Sequence, residues 1–92
     1  MRHMVKSWTS FYKYIESGER LSDIRKNDRR YAVGDILELN EFDPVKFVYT
    51  GRKMDVEITF IQNNKSNPCA ISEEALHPDY IVLTIQKVKE TV

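Results

Sequence analysis

Short runs of alternating apolar and polar residues constrain the fold of this chain more than any other feature. Alternation with a period of two is typical of a β-strand, because successive side chains point to opposite faces. It is clearest in ILELNEF at 36–42, in DVEITFIQ at 55–62 and in YIVLTIQKV at 80–88. LSDIRK at 21–26 is a shorter candidate, and HMVK at 3–6 is predicted as a brief first strand.

A single segment near the N-terminus has helical spacing instead. Four large apolar residues fall at i, i+3, i+4 and i+7: Trp8, Phe11, Tyr12 and Ile15. This spacing predicts a helix whose aromatic stripe packs into the core rather than serving as a ligand platform. Three hydroxyl residues stand where its first cap is expected: Ser7, Thr9 and Ser10. Gly18 stands where a helix commonly ends in a left-handed turn.

Turn signals separate the strands. They are KNDRR at 26–30, VGD at 33–35, DP at 43–44 and NNKSNP at 63–68. Residues 45–62 are predicted to form a hairpin or meander, with the sequence GRKM at 51–54 between its strands.

The segment SEEALHPD at 72–79 predicts at most one helical turn, which ends before Pro78. The whole pattern predicts a single α+β, mainly β domain over residues 1–92, with an N-terminal helix and five to six strands. Closure of those strands into a small barrel is favoured, because an open sheet would leave exposed edges.

Composition narrows the class of protein. The 92 residues carry 14 basic and 14 acidic side chains, and this balance disfavours a dedicated duplex-DNA binder, which depends on excess positive charge. The single cysteine, Cys69, has no internal disulfide partner, which is typical of a reducing, cytoplasmic setting. No apolar run is long enough to span a membrane, and His3 and His77 lack further ligands at metal-binding spacing. We therefore expect no membrane segment, no metal and no cofactor.

The charged segment GERLSDIRKNDRR, residues 18–30, concentrates eight charges in thirteen residues. Together with VGDIL at 33–37, it resembles the ASCH branch of the PUA-like superfamily. That branch carries a Gly-x-Lys-x-x-Glu-x-Arg signature after its first helix and then a Gly-Asp turn. The chain is most similar to a small subfamily of bacteria and phages that also has a His near its start, YTGR (here 49–52) and a closing strand like YIVL (here 80–83). His3 is part of this pattern and is taken as a native residue.

The resemblance implies a small PUA-like barrel whose signature residues line a cleft at the barrel mouth. It also implies that this cleft binds RNA or a nucleotide-like ligand. The signature positions are Arg20, Asp23 and Arg25. The arginines could fork onto a phosphate, and Asp23 could accept from the exocyclic amine of a base.

Five neighbouring residues are weaker candidates for the same ligand. Lys26, Arg29 and Arg30 could extend positive potential outward, and Tyr31 could stack on an unpaired base. Arg52 could reach the ligand from a hairpin tip. The structural alternative treats these charges as solvated ion pairs and the polar residues at 27–28 as turn formers, with Gly34 and Asp35 setting the following turn.

Three functions remain open at this point: a non-catalytic RNA- or nucleotide-binding module, an amidohydrolase, and a protein-interaction domain whose partner is unknown. Some small ASCH proteins resemble hydrolases of acetylated cytidine that use the signature Lys and a Thr three residues on. Arg20 and Asp23 occupy those positions here, and arginine does not shed its proton as a catalytic lysine can. The binding module is therefore the leading prediction. Solvent exposure of Trp8 or Phe11 would favour the interaction domain.

Overall fold

The computed structural model describes residues 1–63 and 79–88. These residues form one helix and five strands: β1 (Arg2–Trp8), α1 (Thr9–Ser17), β2 (Ser22–Lys26), β3 (Ile36–Asp43), β4 (Val48–Gln62) and β5 (Tyr80–Lys87). The predicted loop at 64–68 and the predicted helical turn at 72–78 lie outside the described residues.

The strands form one sheet in the order β1-β3-β4-β5-β2. β1 runs parallel to β3, and every other neighbouring pair is antiparallel. The sheet curls into a half-barrel with α1 packed beside β1 and β3. The predicted α+β, mainly β class is confirmed, and the strands of the described residues number five.

The core lies on the concave face of the sheet, where alternating residues of the strands meet. Its largest fully buried side chains are Tyr12, Leu37, Leu39, Ile58, Ile81 and Leu83. β3 and β5 follow the predicted alternation, because their apolar positions supply four of these six residues. Removing this apolar surface from water is the main stabilising term for so small a domain.

The helical stripe is only partly buried, so the prediction for its first two members is wrong. Tyr12 and Ile15 enter the core, whereas Trp8 ends β1 and, like Phe11, stays about half exposed. None of the expected hydroxyl caps is used: Trp8 is the N-cap residue, and no side-chain cap bond is present. Gly18 does end α1 in the left-handed region, with φ 85°.

The GRKM segment is not a turn. It lies inside β4, and the β3–β4 hairpin turns instead at residues 44–47. Asp43 Oδ1 shapes that turn by accepting hydrogen bonds from the backbone N–H groups of Val45 and Lys46. Gly51 has φ 90° opposite an irregularity in β3, where the pairing shifts between Asn40 and Phe42. A glycine is suited to that irregularity because it adopts positive φ without strain.

A second irregularity explains why Phe60 is exposed. The pairing of β4 with β5 shifts between Ile58 and Phe60, so the apolar face predicted over residues 56–60 is interrupted. Val56 and Ile58 are buried, whereas Phe60 points to solvent. A bulge of this kind cannot be deduced from alternation alone.

The two edge strands, β1 and β2, are bridged by arginine side chains. Arg25 Nη2 donates to the main-chain oxygen of Lys6 at 2.9 Å, and Arg29 Nη1 donates to that of Met4 at 2.9 Å. No backbone ladder joins β1 to β2 among the described residues. Side chains therefore connect the two edges of the half-barrel.

Within the described ranges, no helix is long and apolar enough to cross a bilayer.

Candidate functional site

Strand β2 presents its polar residues to the inside of the half-barrel. Asp23 is buried and Arg25 is largely buried, whereas the apolar residues Leu21 and Ile24 face solvent. If β2 served only core packing, its apolar residues would point inward and its charged residues outward, because burying charge is costly without specific partners. The inward carboxylate and guanidinium therefore define a polar site at the mouth of the half-barrel.

Asp23 and Arg25 form an ion pair in that mouth. Arg25 Nε donates to Asp23 Oδ2 at 2.8 Å, and the exposed fractions of the two side chains are 18% and 12%. Since Arg25 Nη2 also bonds to Lys6, this guanidinium is fixed by two partners. Its Nη1 group and Asp23 Oδ1 have no hydrogen-bond partner among residues 1–63 and 79–88.

Arg20 is held differently. Its Nε donates to the main-chain oxygen of Ser22 at 2.9 Å, and its guanidinium carbon lies 4.7 Å from the centre of the Phe11 ring. Its two terminal amino groups make no hydrogen bond or ion pair with any described residue. The contact with the Phe11 ring holds the guanidinium at the cleft while leaving both groups open to an anion.

Two aromatic rings stand beside these charges. Trp8 and Phe11 are nearly parallel, with ring centres 6.3 Å apart and an interplanar angle of 12°, and they are 50% and 47% exposed. Together with Ser7, Arg20, Asp23 and Arg25 they line an open hollow of about 340 Å³, here called the cleft. The three signature residues are thus brought together, as the sequence predicted. The rings that join them had been assigned to the core.

Ser7 is the buried polar residue of the cleft that sequence reasoning missed. It lies on the inward face of β1, is 5% exposed, and its hydroxyl has no hydrogen-bond partner in the part of the chain that the structure describes. Its register partner on β3 is Glu41, a buried acid that accepts a hydrogen bond from Thr50 Oγ1 at 2.7 Å. Buried hydroxyls usually have partners, so an unpaired one facing a cleft is available to a ligand.

Three of the weaker candidates do not line the cleft. Lys26 and Arg30 are exposed, and Arg29 reaches along the edge of β1 to Met4. Arg29 instead lines a second hollow, beside residues 4–6 of β1.

Tyr31 is half-buried against the core rather than open for stacking. Its ring centre lies 4.8 Å from that of His3, and burial raises the pKa of its hydroxyl above the usual value. The exposed aromatic rings at the cleft are those of Trp8 and Phe11, not that of Tyr31.

Arg52 lies away from the cleft, so the idea that it joins Arg25 at a ligand is wrong. Its Nη2 group donates to the carboxylate of Glu16 on α1, and its guanidinium carbon lies 5.2 Å from the centre of the Tyr12 ring. The pKa of the Glu16 carboxyl is lowered chiefly by this bond. Arg52 therefore attaches β4 to the helix.

A buried cluster around Asp35 fixes the start of β3. Asp35 Oδ2 lies 2.8 Å from His3 Nε2 and accepts a bond from the Ala32 N–H, while Oδ1 accepts from the Met1 amine at 3.0 Å. These bonds, first of all the one to His3, lower the pKa of Asp35 to about 2. The cluster gives His3 and Asp35 a structural role. No set of three metal-ligating side chains meets within residues 1–63 and 79–88.

The fold and the cleft define a small half-barrel protein with an aromatic-walled, mixed-charge pocket at its mouth. The chain belongs to the family described as "Domain of unknown function (DUF3850)", whose model matches residues 2–85. It is also similar to an "Uncharacterized 12.9 kDa protein in GpA 3'region" of Escherichia phage P2, with 39% identity over 57 residues. That match covers 62% of this chain and 50% of the phage protein, so the chain spans about half the length of its relative.

Proposed function

We propose that this chain is an ASCH-type, PUA-like domain that binds RNA or a nucleotide-like ligand in the cleft without catalysing a reaction. One observation carries the proposal: Arg20, Asp23 and Arg25 meet two exposed aromatic rings around a single open hollow. An aromatic wall suits a base, and a guanidinium with both amino groups open suits a phosphate.

Arg20 and Arg25 have different roles in this proposal. Arg20 is the anion-binding residue, because its terminal amino groups have no partner among the described residues and its guanidinium rests over the Phe11 ring. Arg25 is a positioning residue that holds Asp23 and the edge of β1. Asp23 Oδ1 and Ser7 Oγ then supply an acceptor and a hydroxyl for the edge of a base.

A catalytic function in the cleft has weaker support. An arginine, Arg20, stands at the signature lysine position, and Asp23 at the threonine position is paired with Arg25. Neither residue supplies the neutral amine and hydroxyl that the amidohydrolase reading requires.

The test uses the one tryptophan of the chain, Trp8, which stands in the wall of the cleft. Titration with a short single-stranded RNA at low salt is expected to quench Trp8 emission as a base stacks on the ring. Arg20→Gln is expected to weaken binding roughly tenfold or more, because charge-assisted bonds are lost. Lys13→Gln is the matched control, since Lys13 lies over Tyr14 outside the cleft.

Two results would refute the proposal. One is the absence of any fluorescence change or binding at low salt. The other is equal binding by the wild-type protein and Arg20→Gln.

The interaction-domain alternative is favoured by the same exposed pair, Trp8 and Phe11. It predicts that Trp8→Ala abolishes capture of a protein partner while RNA has no effect on Trp8 emission. The charged floor of the cleft supports the RNA reading more strongly, because a purely apolar partner would leave Arg20 and Asp23 Oδ1 desolvated and unpaired.

A further inference from the structure

A second hollow lies next to the cleft along β1, beside residues 4–6 of that strand. It has a volume of about 460 Å³ and is lined by Met4, Val5, Lys6, Arg29, Asn40 and Tyr49; it is here called the outer hollow. The outer hollow has no role in the function proposed for the cleft. Its residues come from β1, β3, β4 and the segment after β2.

Lys6 lines both hollows. The Lys6 ammonium lies 4.2 Å from the centre of the Phe42 ring and 6.0 Å from that of Tyr49. It makes no ion pair with a described carboxylate. An exposed cation placed over aromatic rings between two hollows is suited to a phosphate that links two bases.

Tyr49 gives the outer hollow its own stacking surface. Its ring meets Phe42 edge-on, with centres 5.1 Å apart at 68°, and the residue is 58% exposed. Packing against Phe42 fixes the orientation of the ring, so that little side-chain entropy is lost when a base stacks on its open face.

The charges of the outer hollow also fit a polyanion. Arg29 uses one amino group on Met4 and has no other hydrogen-bond partner in the described ranges. Asn40, which lines this hollow, donates to the Glu38 carboxylate at 3.2 Å, and Glu38 is also paired with Arg2 and lies 3.8 Å from Lys53. The charged side chains that line the outer hollow, Lys6 and Arg29, are both positive.

We infer that the two hollows bind consecutive nucleotides of one single-stranded RNA, so that the ligand is an oligonucleotide rather than a mononucleotide. This inference rests on the proposed function of the cleft. One base stacks on Trp8 and Phe11, the next stacks on Tyr49, and the phosphate between them contacts Lys6. Duplex RNA is excluded as the ligand, because its bases are stacked on each other.

The experiment compares a random-sequence RNA hexamer with the mixture of the four ribonucleoside monophosphates, read by Trp8 emission at low salt. The hexamer is expected to bind more tightly than the mononucleotides. Tyr49→Ala is expected to weaken hexamer binding by roughly 5- to 150-fold, the range expected for one lost stacking contact. It should leave mononucleotide binding in the cleft unchanged, and Tyr49→Phe should bind the hexamer like the wild-type protein.

The outcomes separate the two proposals. If the wild-type protein binds neither ligand, the cleft function and the two-site inference both fall. If the hexamer quenches Trp8 but Tyr49→Ala binds it as tightly as the wild-type protein, only the two-site inference falls.

Discussion

Arg25 and Lys6 join the two edge strands of the half-barrel through one hydrogen bond, 2.9 Å from Nη2 to the main-chain oxygen. The same guanidinium neutralises Asp23 at 2.8 Å. Arg25, which the sequence predicts to bind a ligand, therefore connects the two edge strands of the half-barrel. Ligand affinity and stability should respond differently at Arg20 and at Arg25.

Replacing Arg25 by Ala should lower the free energy of unfolding by about 2–3 kcal/mol, because Asp23 is left largely buried and unpaired. Arg25→Lys should recover only part of this loss, since a single ammonium cannot reproduce both bonds of the fork. Urea unfolding measures the free energy of unfolding of both variants. Arg20→Ala is the matched comparison and should unfold close to the wild-type midpoint. A normal midpoint for Arg25→Ala would contradict the bridging role.

Asp35 should make stability depend on acid pH. Its pKa falls from 3.8 to about 2 on folding, so its bonds stabilise the protein fully above pH 4. As the pH drops from about 4 to about 2, the carboxyl takes up a proton more readily in the unfolded chain, and on the order of 2 kcal/mol is lost.

Urea midpoints measured between pH 2 and 6 test this prediction. Asp35→Asn should be less stable at pH 6 and should lose less stability than the wild-type protein on acidification. Asp43→Asn, a change in the exposed β3–β4 turn, serves as the control. Parallel pH curves for the wild-type protein and Asp35→Asn would show that the cluster around Asp35 contributes nothing in this range.

Gly51 should be sensitive to any side chain. Its φ of 90° lies in the region that favours glycine, and a Cβ there would meet no atom within 4 Å. Gly51→Ala should therefore cost roughly 1–2 kcal/mol from backbone strain alone. Gly51→Asn should cost less, because asparagine tolerates positive φ better. Thermal or urea unfolding distinguishes the two, and equal stability of all three proteins would refute the strain argument.

Arg52 should matter little for ligand binding. It lies against α1, pairs with Glu16, and both side chains are about half exposed. Arg52→Ala should leave Trp8 quenching by RNA unchanged. It should lower the urea midpoint measurably, because the bond to Glu16 is exposed but the buried Glu41 carboxylate loses a cation 3.8 Å away. A large loss of RNA affinity in Arg52→Ala would place the binding surface elsewhere than the cleft.

The strands could be predicted from the sequence where apolar and polar residues alternate and the apolar ones are the buried ones. β5 buries alternate residues as the period of two requires, and Gly18 ends the helix as predicted. β3 buries Leu37 and Leu39 on the predicted face but also Phe42 on the other. Phe60 was not predictable, because the bulge that turns it outward depends on the partner strand β5. The turn at 44–47 was predictable from the DP signal at 43–44, whereas the expected turn at 51–54 is absent because Gly51 accommodates an irregularity inside a long strand.

The sequence predicted the charged residues of the cleft but not the aromatic residues that form its wall. Asp23 and Arg25 are alternate residues of β2 and face one side, whereas Arg20 precedes the strand and joins them through its bond to the main-chain oxygen of Ser22. Trp8 and Phe11 satisfy helical periodicity as well as Tyr12 does, so periodicity could not show that they stay exposed. Ser7 gave no usable signal, because its hydroxyl matters only once β1 turns it inward.

The arginine bridges also determine how the open edge of β1 meets other molecules. The carbonyls of Met4 and Lys6 are already occupied by Arg29 and Arg25. A strand from another copy of the chain would have to displace two guanidiniums before it could pair there, so the bridges guard this edge against sheet-to-sheet aggregation.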